Sequence, residues 1–261
     1  GCWAGRVVVS GMARSFTYEA LVLRARPAGE SNREAWFLTR EEGILKATVF
    51  GGPKSRLRAY VSPFHQGTLW VYHNPVRDYR TVTDFDVRCW RPGLREQYER
   101  IETAGTVAET ALASFGGGGD WERALGLAGS ALDALSEADA ACCSRILIHF
   151  LWNWLDFLGL TPDIRHCASC ACEYPAHGVV LFGGPDGTLR CPSCAGSEEG
   201  LIPVGPGARR WLAAVSPLSP SALKRYTLDR ASRSQALALA TGLTAYALGR
   251  PPAGGPSPTV S

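Results

Sequence analysis

Residues 16–50 read FTYEALVLRARPAGESNREAWFLTREEGILKATVF, and this stretch decides how the front of the chain folds. Apolar and polar residues alternate over 16–26, 35–40 and 44–50, and a period of two is typical of β-strands. Turn-forming residues separate the three runs, first Pro-Ala-Gly and then Glu-Glu-Gly. The stretch therefore predicts three strands joined by short connections.

Two further strands are predicted downstream, over 68–73 and 79–90, with Asn74-Pro75 between them. Five short strands separated by turns match the strand count of the oligonucleotide-binding (OB) fold, which is a small closed barrel. A five-stranded fragment of a β-sandwich is the alternative that the strand pattern leaves open.

After Pro92 the apolar spacing changes to that of helices. The predicted helices cover residues 94–115, 121–135, 138–158, 208–215, 220–226 and 232–248. The helix over 138–158 has the widest apolar face, and such a helix is buried among others. The fold class expected is α+β multidomain: an N-terminal five-stranded OB-fold β-barrel, followed by an α-helical domain with an inserted four-cysteine zinc module.

Domain boundaries are expected where these patterns change. They are an N-terminal extension at 1–14, an OB-fold domain at 15–91, the first part of a helical domain at 92–165, a zinc-binding module at 166–200, the C-terminal part of the helical domain at 201–250, and a disordered tail at 251–261. Met12 is the only methionine of the chain, and we expect translation to start there.

Four of the nine cysteines have the spacing of zinc ligands. One Cys-x-x-Cys pair is Cys167 and Cys170, and the other, after twenty intervening residues, is Cys191 and Cys194. Two such pairs complete a tetrahedral site without an open position, which is the structural arrangement of zinc. We expect one structural Zn²⁺ ion on these four sulfurs.

The ligand set has alternatives close by in the sequence. Cys172 or His166, and less readily His177, would replace a ligand if the register shifted. The five cysteines outside the two pairs show no pairing logic, which indicates a reducing compartment and a cytoplasmic protein.

The front third of the chain carries surplus positive charge, whereas the remainder is expected to be close to neutral or slightly acidic. Residues 1–90 contain thirteen Arg or Lys against eight Asp or Glu. A basic glycine-containing loop after the third strand contributes Lys54, Arg56 and Arg58. The turn between the last two strands contributes Arg77 and Arg80. Both segments flank the nucleic-acid face of an OB barrel, and clustered cations of this kind neutralise phosphates.

Aromatic residues are interleaved with these cations and can stack on bases. They are Trp36, Phe50, Tyr60, Trp70, Tyr72 and Tyr79. Phe50 and Trp70 are instead expected to fill the barrel.

No catalytic constellation is visible in the sequence. The chain has neither a phosphate-binding P-loop nor a Gly-x-Ser-x-Gly elbow, and its histidines do not cluster with carboxylates. No apolar run reaches the length of a membrane span. An enzyme and a membrane protein are therefore not expected.

The order of several short motifs resembles the RecO family of DNA repair and recombination mediators. The motifs are Ala20-Leu21-Val22-Leu23, Gly29-Glu30-Ser31-Asn32, residues 37–43, residues 50–56, Pro63-Phe64, and residues 159–163 ahead of the first cysteine pair. The resemblance implies an OB domain, a helical domain and, in many members, a zinc module. It also implies a location in the cytoplasm, associated with the nucleoid.

In function, the resemblance implies binding of single- and double-stranded DNA and annealing of complementary strands. It also implies work with RecR on DNA coated by single-stranded DNA-binding protein (SSB), so that RecA is loaded. Lys54, Arg56 and Arg58 match the basic loop of the family, and Arg33 and Arg40 lie on its DNA face. Pro53 departs from the family pattern, because a basic residue is common there.

Three other functions remain as alternatives. The first is a zinc-ribbon accessory protein of a transcription or translation machine. The second is a metal-dependent hydrolase, which would need an open coordination position. The third is a purely structural scaffold, which would have no salt-dependent affinity for DNA.

Overall fold

The computed structural model describes residues 14–52, 54–114, 119–183, 187–196 and 200–249. Within these residues the protein is a mixed α+β structure of two compact units. The first unit comprises the chain up to Arg91 together with residues 119–129. The second comprises the rest of the chain from Pro92 onward. The predicted N-terminal extension and C-terminal tail lie almost entirely outside the described residues.

Five strands of the first unit form a closed barrel in the order β1-β2-β3-β5-β4. The strands are β1 (Arg14–Ala28), β2 (Asn32–Thr39), β3 (Gly43–Val49), β4 (Gln66–Asn74) and β5 (Tyr79–Cys89). Neighbouring strands are antiparallel except β3 and β5, which pair in parallel and close the barrel. The five predicted strands are therefore confirmed.

The barrel interior is filled by the apolar half of each alternating strand. The largest of these buried side chains include Phe37 and Phe85, whose rings lie 6.2 Å apart edge to face. Gly67 marks a close approach of two strands, because a Cβ atom there would lie 1.9 Å from the carbonyl oxygen of Asp86. Only glycine leaves room for this contact.

Two features of the first unit differ from the sequence prediction. A short helix, α1 (Arg56–Tyr60), occupies part of the predicted basic loop. Neither Phe50 nor Trp70 fills the barrel: Phe50 is 50% exposed, and Trp70 is half-buried between the inward-facing Leu69 and Val71. The reason is strand parity: Val49 takes the last inward position of β3, and Phe50 follows the end of the strand.

The second unit is mainly helical. A 3-10 turn at Pro92–Arg95 precedes α2 (Tyr98–Ala113), α3 (Trp121–Ser136), whose first residues belong to the first unit, and α4 (Ala140–Phe157). Further along are α6 (Pro206–Val215), a 3-10 helix at Pro220–Arg225, and α7 (Arg230–Leu248). Eleven residues of α4 are buried, as its wide apolar face predicts.

The cysteine module contains a three-stranded sheet in the order β7-β6-β8. Its elements are β6 (Val180–Gly183), β7 (Thr188–Arg190), the single-turn helix α5 (Pro192–Ala195) and β8 (Ile202–Val204). β8 lies beyond the predicted module boundary at residue 200. The module packs on α7, where Gly242 leaves room for the ring of Phe182.

None of the helices in the described residues has both the length and the apolar character that crossing a bilayer requires.

Candidate nucleic-acid interface and metal centre

Three cations surround one tryptophan on the outer face of β1, β2 and β3. The strand register places Arg24 and Lys46 on either side of Trp36. The guanidinium carbons of Arg24 and Arg26 lie 5.9 and 5.7 Å from the centre of the Trp36 ring. The ammonium of Lys46 lies 5.2 Å from it. We call these four residues the Trp36 platform; distances below about 6 Å are those of cation–π contacts.

One cation of the platform has an acidic partner on β2. The Lys46 ammonium pairs with Glu34 at 2.6 Å. Arg26 and Lys46 are exposed, and Trp36 is half-buried. An aromatic surface ringed by cations offers a base a place to stack and its phosphates nearby positive charge.

A second group of cations collects around α1, at the end of the barrel where β2 begins. Arg33 donates a hydrogen bond to the carbonyl oxygen of Arg58 at 3.3 Å. Burial, and then the neighbouring charge of Arg58, lower the pKa of Arg33. The Arg56 guanidinium lies 4.8 Å from the centre of the Tyr60 ring, and Lys54 is exposed. Four of the predicted DNA-binding residues therefore lie at this end; Pro53 is outside the described residues.

Arg40 and Arg80 pair with acidic side chains, and the partner of Arg80 lies in the turn between β2 and β3. Arg40 pairs with Glu122, and Arg80 pairs with Glu42 at 3.3 Å. The same Glu42 carboxylate accepts a hydrogen bond from the Tyr18 hydroxyl at 2.8 Å. Burial, and then this hydrogen bond, raise the pKa of Tyr18. The turn is therefore an acidic site that engages two of the predicted arginines.

The predicted cations thus form two groups rather than one. Arg33 and Arg40 stand at opposite ends of β2, about 23 Å apart at the rise of a β-strand. Arg77 lies exposed in the turn between β4 and β5. The Trp36 platform occupies the middle of β2, between the two groups.

Sequence reasoning named Trp36 but missed Arg24, Arg26 and Lys46. Their alternation along β1 and β3 indicates that they share an outer face. Which residues of the neighbouring strands stand beside them depends on the register, and the register is set by pairing between distant parts of the chain.

The four predicted cysteine ligands form one cluster. The sulfurs of Cys167, Cys170, Cys191 and Cys194 all lie within 4.8 Å of one another. The Sγ atoms of Cys170 and Cys191 are 3.9 Å apart. Four sulfurs at about 2.3 Å from a tetrahedral zinc ion lie roughly 3.8 Å apart, so this donor set fits such an ion.

Backbone N–H groups stabilise the thiolate form of two of the four cysteines, Cys167 and Cys170. The backbone N–H of Cys191 donates to Cys167 Sγ at 3.3 Å. Burial alone would raise the pKa of the Cys167 thiol, but the N–H groups of Cys191 and Cys170 lower it to about 6. A hydrogen bond from Cys172 N–H also lowers the pKa of Cys170. Stabilised thiolates are the form in which cysteine binds metals.

None of the three alternative ligands is among the four clustered cysteines. His166 is turned toward Asp163, with Nδ1 and Oδ2 2.8 Å apart. Cys172 is exposed and lies outside the four-sulfur set, and His177 is exposed as well. Among the described residues, no other group of three or more metal-ligating side chains comes together.

Arg209 of α6 fastens the loops of the cysteine module to the helical unit. Its guanidinium donates to the carbonyl oxygens of Pro175 and Gly178, both at 2.9 Å. A third, longer bond of 3.3 Å reaches Ile164. The same group lies 5.3 Å from the Tyr174 ring, whose hydroxyl donates to Leu189 at 2.8 Å. The four-cysteine cluster and the buried Arg209 side chain lie in the same small region.

Two family profiles together match most of the chain. The profile described as recombination protein O N terminal matches residues 12–88, and the profile described as recombination protein O C terminal matches residues 95–254.

Curated relatives agree with these profiles. The chain is 29% identical over 218 residues to the DNA repair protein RecO of Moorella thermoacetica. This alignment covers 82% of this chain and 79% of the relative. It is 31% identical over 224 residues to the DNA repair protein RecO of Heliobacterium modesticaldum, covering 81% and 77%. With the DNA repair protein RecO of Maridesulfovibrio salexigens it shares 24% identity over 239 residues, covering 89% and 94%.

Proposed function

The chain belongs to the RecO family, and from this premise we propose that it is a mediator of DNA repair and recombination that binds single- and double-stranded DNA and anneals complementary strands. The Trp36 platform is the observation that carries the proposal. It joins a stacking surface to three cations on the outer face of a five-stranded barrel.

We assign the barrel to the OB fold. Five strands close it, α1 lies between β3 and β4, and the chain matches the N-terminal family profile. In OB folds the outer face of strands 2 and 3, with the flanking loops, receives oligonucleotides. Trp36 and Lys46 lie on this face, and the cations around α1 lie at one end of it.

The proposed mechanism makes and breaks no covalent bond. Cations at the α1 end, above all Lys54, Arg56 and Arg58, neutralise phosphates and release counterions. Trp36 stacks on a base, which holds the strand with its pairing edge free. Arg33 adds to the positive charge at the α1 end, and Arg77 is a further candidate contact in the turn between β4 and β5. Arg40 and Arg80 would contact DNA only on leaving their partners Glu122 and Glu42. Two strands held with their charge neutralised repel each other less, so that base pairing proceeds.

Zinc is the metal we propose for the cluster, held by Cys167, Cys170, Cys191 and Cys194. When bound, Zn²⁺ supplies four strong bonds to thiolate and no reactive position, because all four coordination sites are taken by sulfur. The residues of the module then serve to keep β6, β7 and β8 in place against α7.

The partners proposed are those that the family implies. RecR would act with this protein on DNA coated by SSB, and RecA would be loaded indirectly through that exchange. The corresponding location is cytoplasmic and nucleoid-associated.

A strand-annealing assay on the purified protein tests the proposed function. We expect complementary oligonucleotides to pair faster in its presence, both when bare and when coated by SSB. A zinc-ribbon accessory protein of a transcription or translation machine would leave the pairing of bare strands unchanged. That outcome would overturn the proposal.

A further inference from the structure

The C-terminal part of the chain carries a second excess of positive charge. From Pro206 to the end there are seven Arg or Lys and one acidic residue, whereas residues 92–205 contain six Arg or Lys and fifteen Asp or Glu. The remainder is slightly acidic as a whole, as expected, but it consists of an acidic middle and a basic end. This basic segment forms α6, the following 3-10 helix and α7.

Two of the cations in this segment already have structural roles. Arg209 is buried against the cysteine module, and Lys224 pairs with Glu137 at 3.2 Å. The other four described cations are Arg210, Arg225, Arg230 and Arg233, which we call the α7 basic surface. Three of them are exposed and Arg233 is half-buried, and none forms an ion pair with any residue that the structure describes.

Three of these cations lie on α6 and α7, which pack on each other, and Arg225 lies five residues before Arg230. The backbone N–H of Gly205 donates to Gln235 Oε1 at 2.9 Å, and a Cβ atom at Gly207 would lie 2.3 Å from Ser232 Oγ. The two helices therefore begin side by side. Arg230 and Arg233 are neighbours on the first turn of α7, as residues three apart on a helix are.

The position of Arg230 and Arg233 works against the stability of α7. A helix N-terminus is already positive, so basic side chains in the first turn destabilise the helix. The one acidic residue of the segment, Asp229, is occupied as the N-cap of α7, where its carboxylate accepts the Ser232 N–H at 2.9 Å. Binding of an anionic ligand would explain why basic side chains lie where the helix end is itself positive.

We propose that the α7 basic surface is a second binding site for the phosphate backbone of a DNA strand. The inference rests on the proposed function, because an annealing protein has to hold two strands. Its chemistry suits phosphates: several unpaired guanidinium groups on convex helix ends recognise a repeating anion. An acidic peptide would also need apolar anchors beside the cations. The exposed aromatic residues of the described part of this segment are Tyr226, at 37% exposure, and Tyr246, at 55%, and Tyr246 lies at the opposite end of α7.

The test compares two triple variants in oligonucleotide binding and annealing. One is R225A/R230A/R233A, and the other is K54A/R56A/R58A in the barrel. The probe is oligothymidylate of about eight nucleotides, within the range bound by a single OB fold. We expect wild type to bind two strands per chain and each variant one. We also expect R225A/R230A/R233A to anneal about tenfold more slowly or worse.

Two further variants make the result specific. R95A/R123A/R165A removes the same net charge from exposed positions outside both surfaces and should behave as wild type. R225K/R230K/R233K keeps the charges and should retain the second strand.

The outcomes separate this inference from the proposed function. A wild-type protein that neither binds nor anneals DNA contradicts the proposed function itself. A wild-type protein that anneals, together with an unchanged R225A/R230A/R233A variant, overturns only the second site. Displacement of the second strand by an oligoglutamate peptide at equal affinity would assign the surface to an acidic protein and would also overturn it.

Discussion

The barrel and the helical unit are each stabilised by a different kind of interior. The barrel core is a continuous cluster of apolar side chains on all five strands. The helical unit buries Arg100, His149 and Arg209 and contains the four-cysteine cluster. The first unit buries His65 and Arg91 too, but both lie outside the apolar cluster of the barrel. Buried polar groups stabilise only while their partners are in place. The helical unit therefore depends on a few named contacts, whereas the barrel spreads its stability over many.

The two buried arginines of the helical unit illustrate this dependence. Arg100 donates to the carbonyl oxygens of Gly93, Ser136 and Ala138, at 2.9, 3.0 and 2.7 Å. Arg209 does the same for three carbonyls of the cysteine module. In both places one guanidinium satisfies a set of irregular backbone groups that no helix or sheet satisfies.

Loss of the proposed zinc ion should have the most different effects on the stability of the two regions. Structural zinc contributes on the order of 10 kcal/mol to folding in small zinc modules. Chelation, or Cys191→Ser, should therefore unfold residues 166–196 and leave the barrel folded. Hydrogen exchange should rise to the unprotected rate in the module and stay unchanged in β1 to β5. Cys172→Ser is the matched control and should leave both metal content and exchange intact; equal loss of protection in the barrel would contradict the division.

Removal of the Arg209 side chain should have the next largest effect. Arg209→Ala leaves the carbonyls of Pro175 and Gly178 without a donor, and we expect a loss of about 3 kcal/mol in the free energy of unfolding. Urea denaturation measures it. Arg210→Ala removes the same charge from an exposed neighbour and should change stability by less than about 0.5 kcal/mol. Equal effects of the two variants would show that Arg209 acts through charge alone.

Trp36→Ala probes the barrel, where we propose that the named contacts serve binding rather than folding. Loss of one stacked base should weaken single-stranded DNA binding by about 1–3 kcal/mol, with little change in the salt dependence. Thermal unfolding should move little, because Trp36 is half-buried on the outer face. Trp36→Phe keeps an aromatic surface and should recover most of the affinity. An Ala variant with wild-type affinity would exclude stacking at this position.

The smallest expected effect is a pH dependence confined to the helical unit. Burial lowers the pKa of His149, although its ring donates to the Leu218 carbonyl at 3.0 Å. The unfolded state therefore binds a proton more readily than the folded state does, and stability is lost as the pH falls below the ordinary histidine value of about 6.5. Urea midpoints near pH 7.5 and pH 5.5 measure this loss. The loss should be smaller in His149→Gln; an equal loss in both proteins would show that other groups cause it.

Much of this arrangement was predictable from the sequence, and the exceptions have a common cause. The strands and the cysteine ligands follow from local signals, namely alternation and the Cys-x-x-Cys spacing. The Trp36 platform was not predictable as a unit, because it depends on the register of β1, β2 and β3. The role of Arg209 was hidden as well, since the carbonyls that it satisfies come from chain segments 31 to 45 residues away.

The most direct test of the central claim is the salt dependence of single-stranded DNA binding. Each phosphate contact contributes about 0.7 to the slope of log affinity against log salt concentration for single strands. The variant K54A/R56A/R58A should therefore bind more weakly at moderate salt, with a slope smaller by about 2, while R95A/R123A/R165A keeps the wild-type slope. Wild-type affinity and an unaltered slope in K54A/R56A/R58A would contradict the claim that this end of the barrel binds DNA through its phosphates.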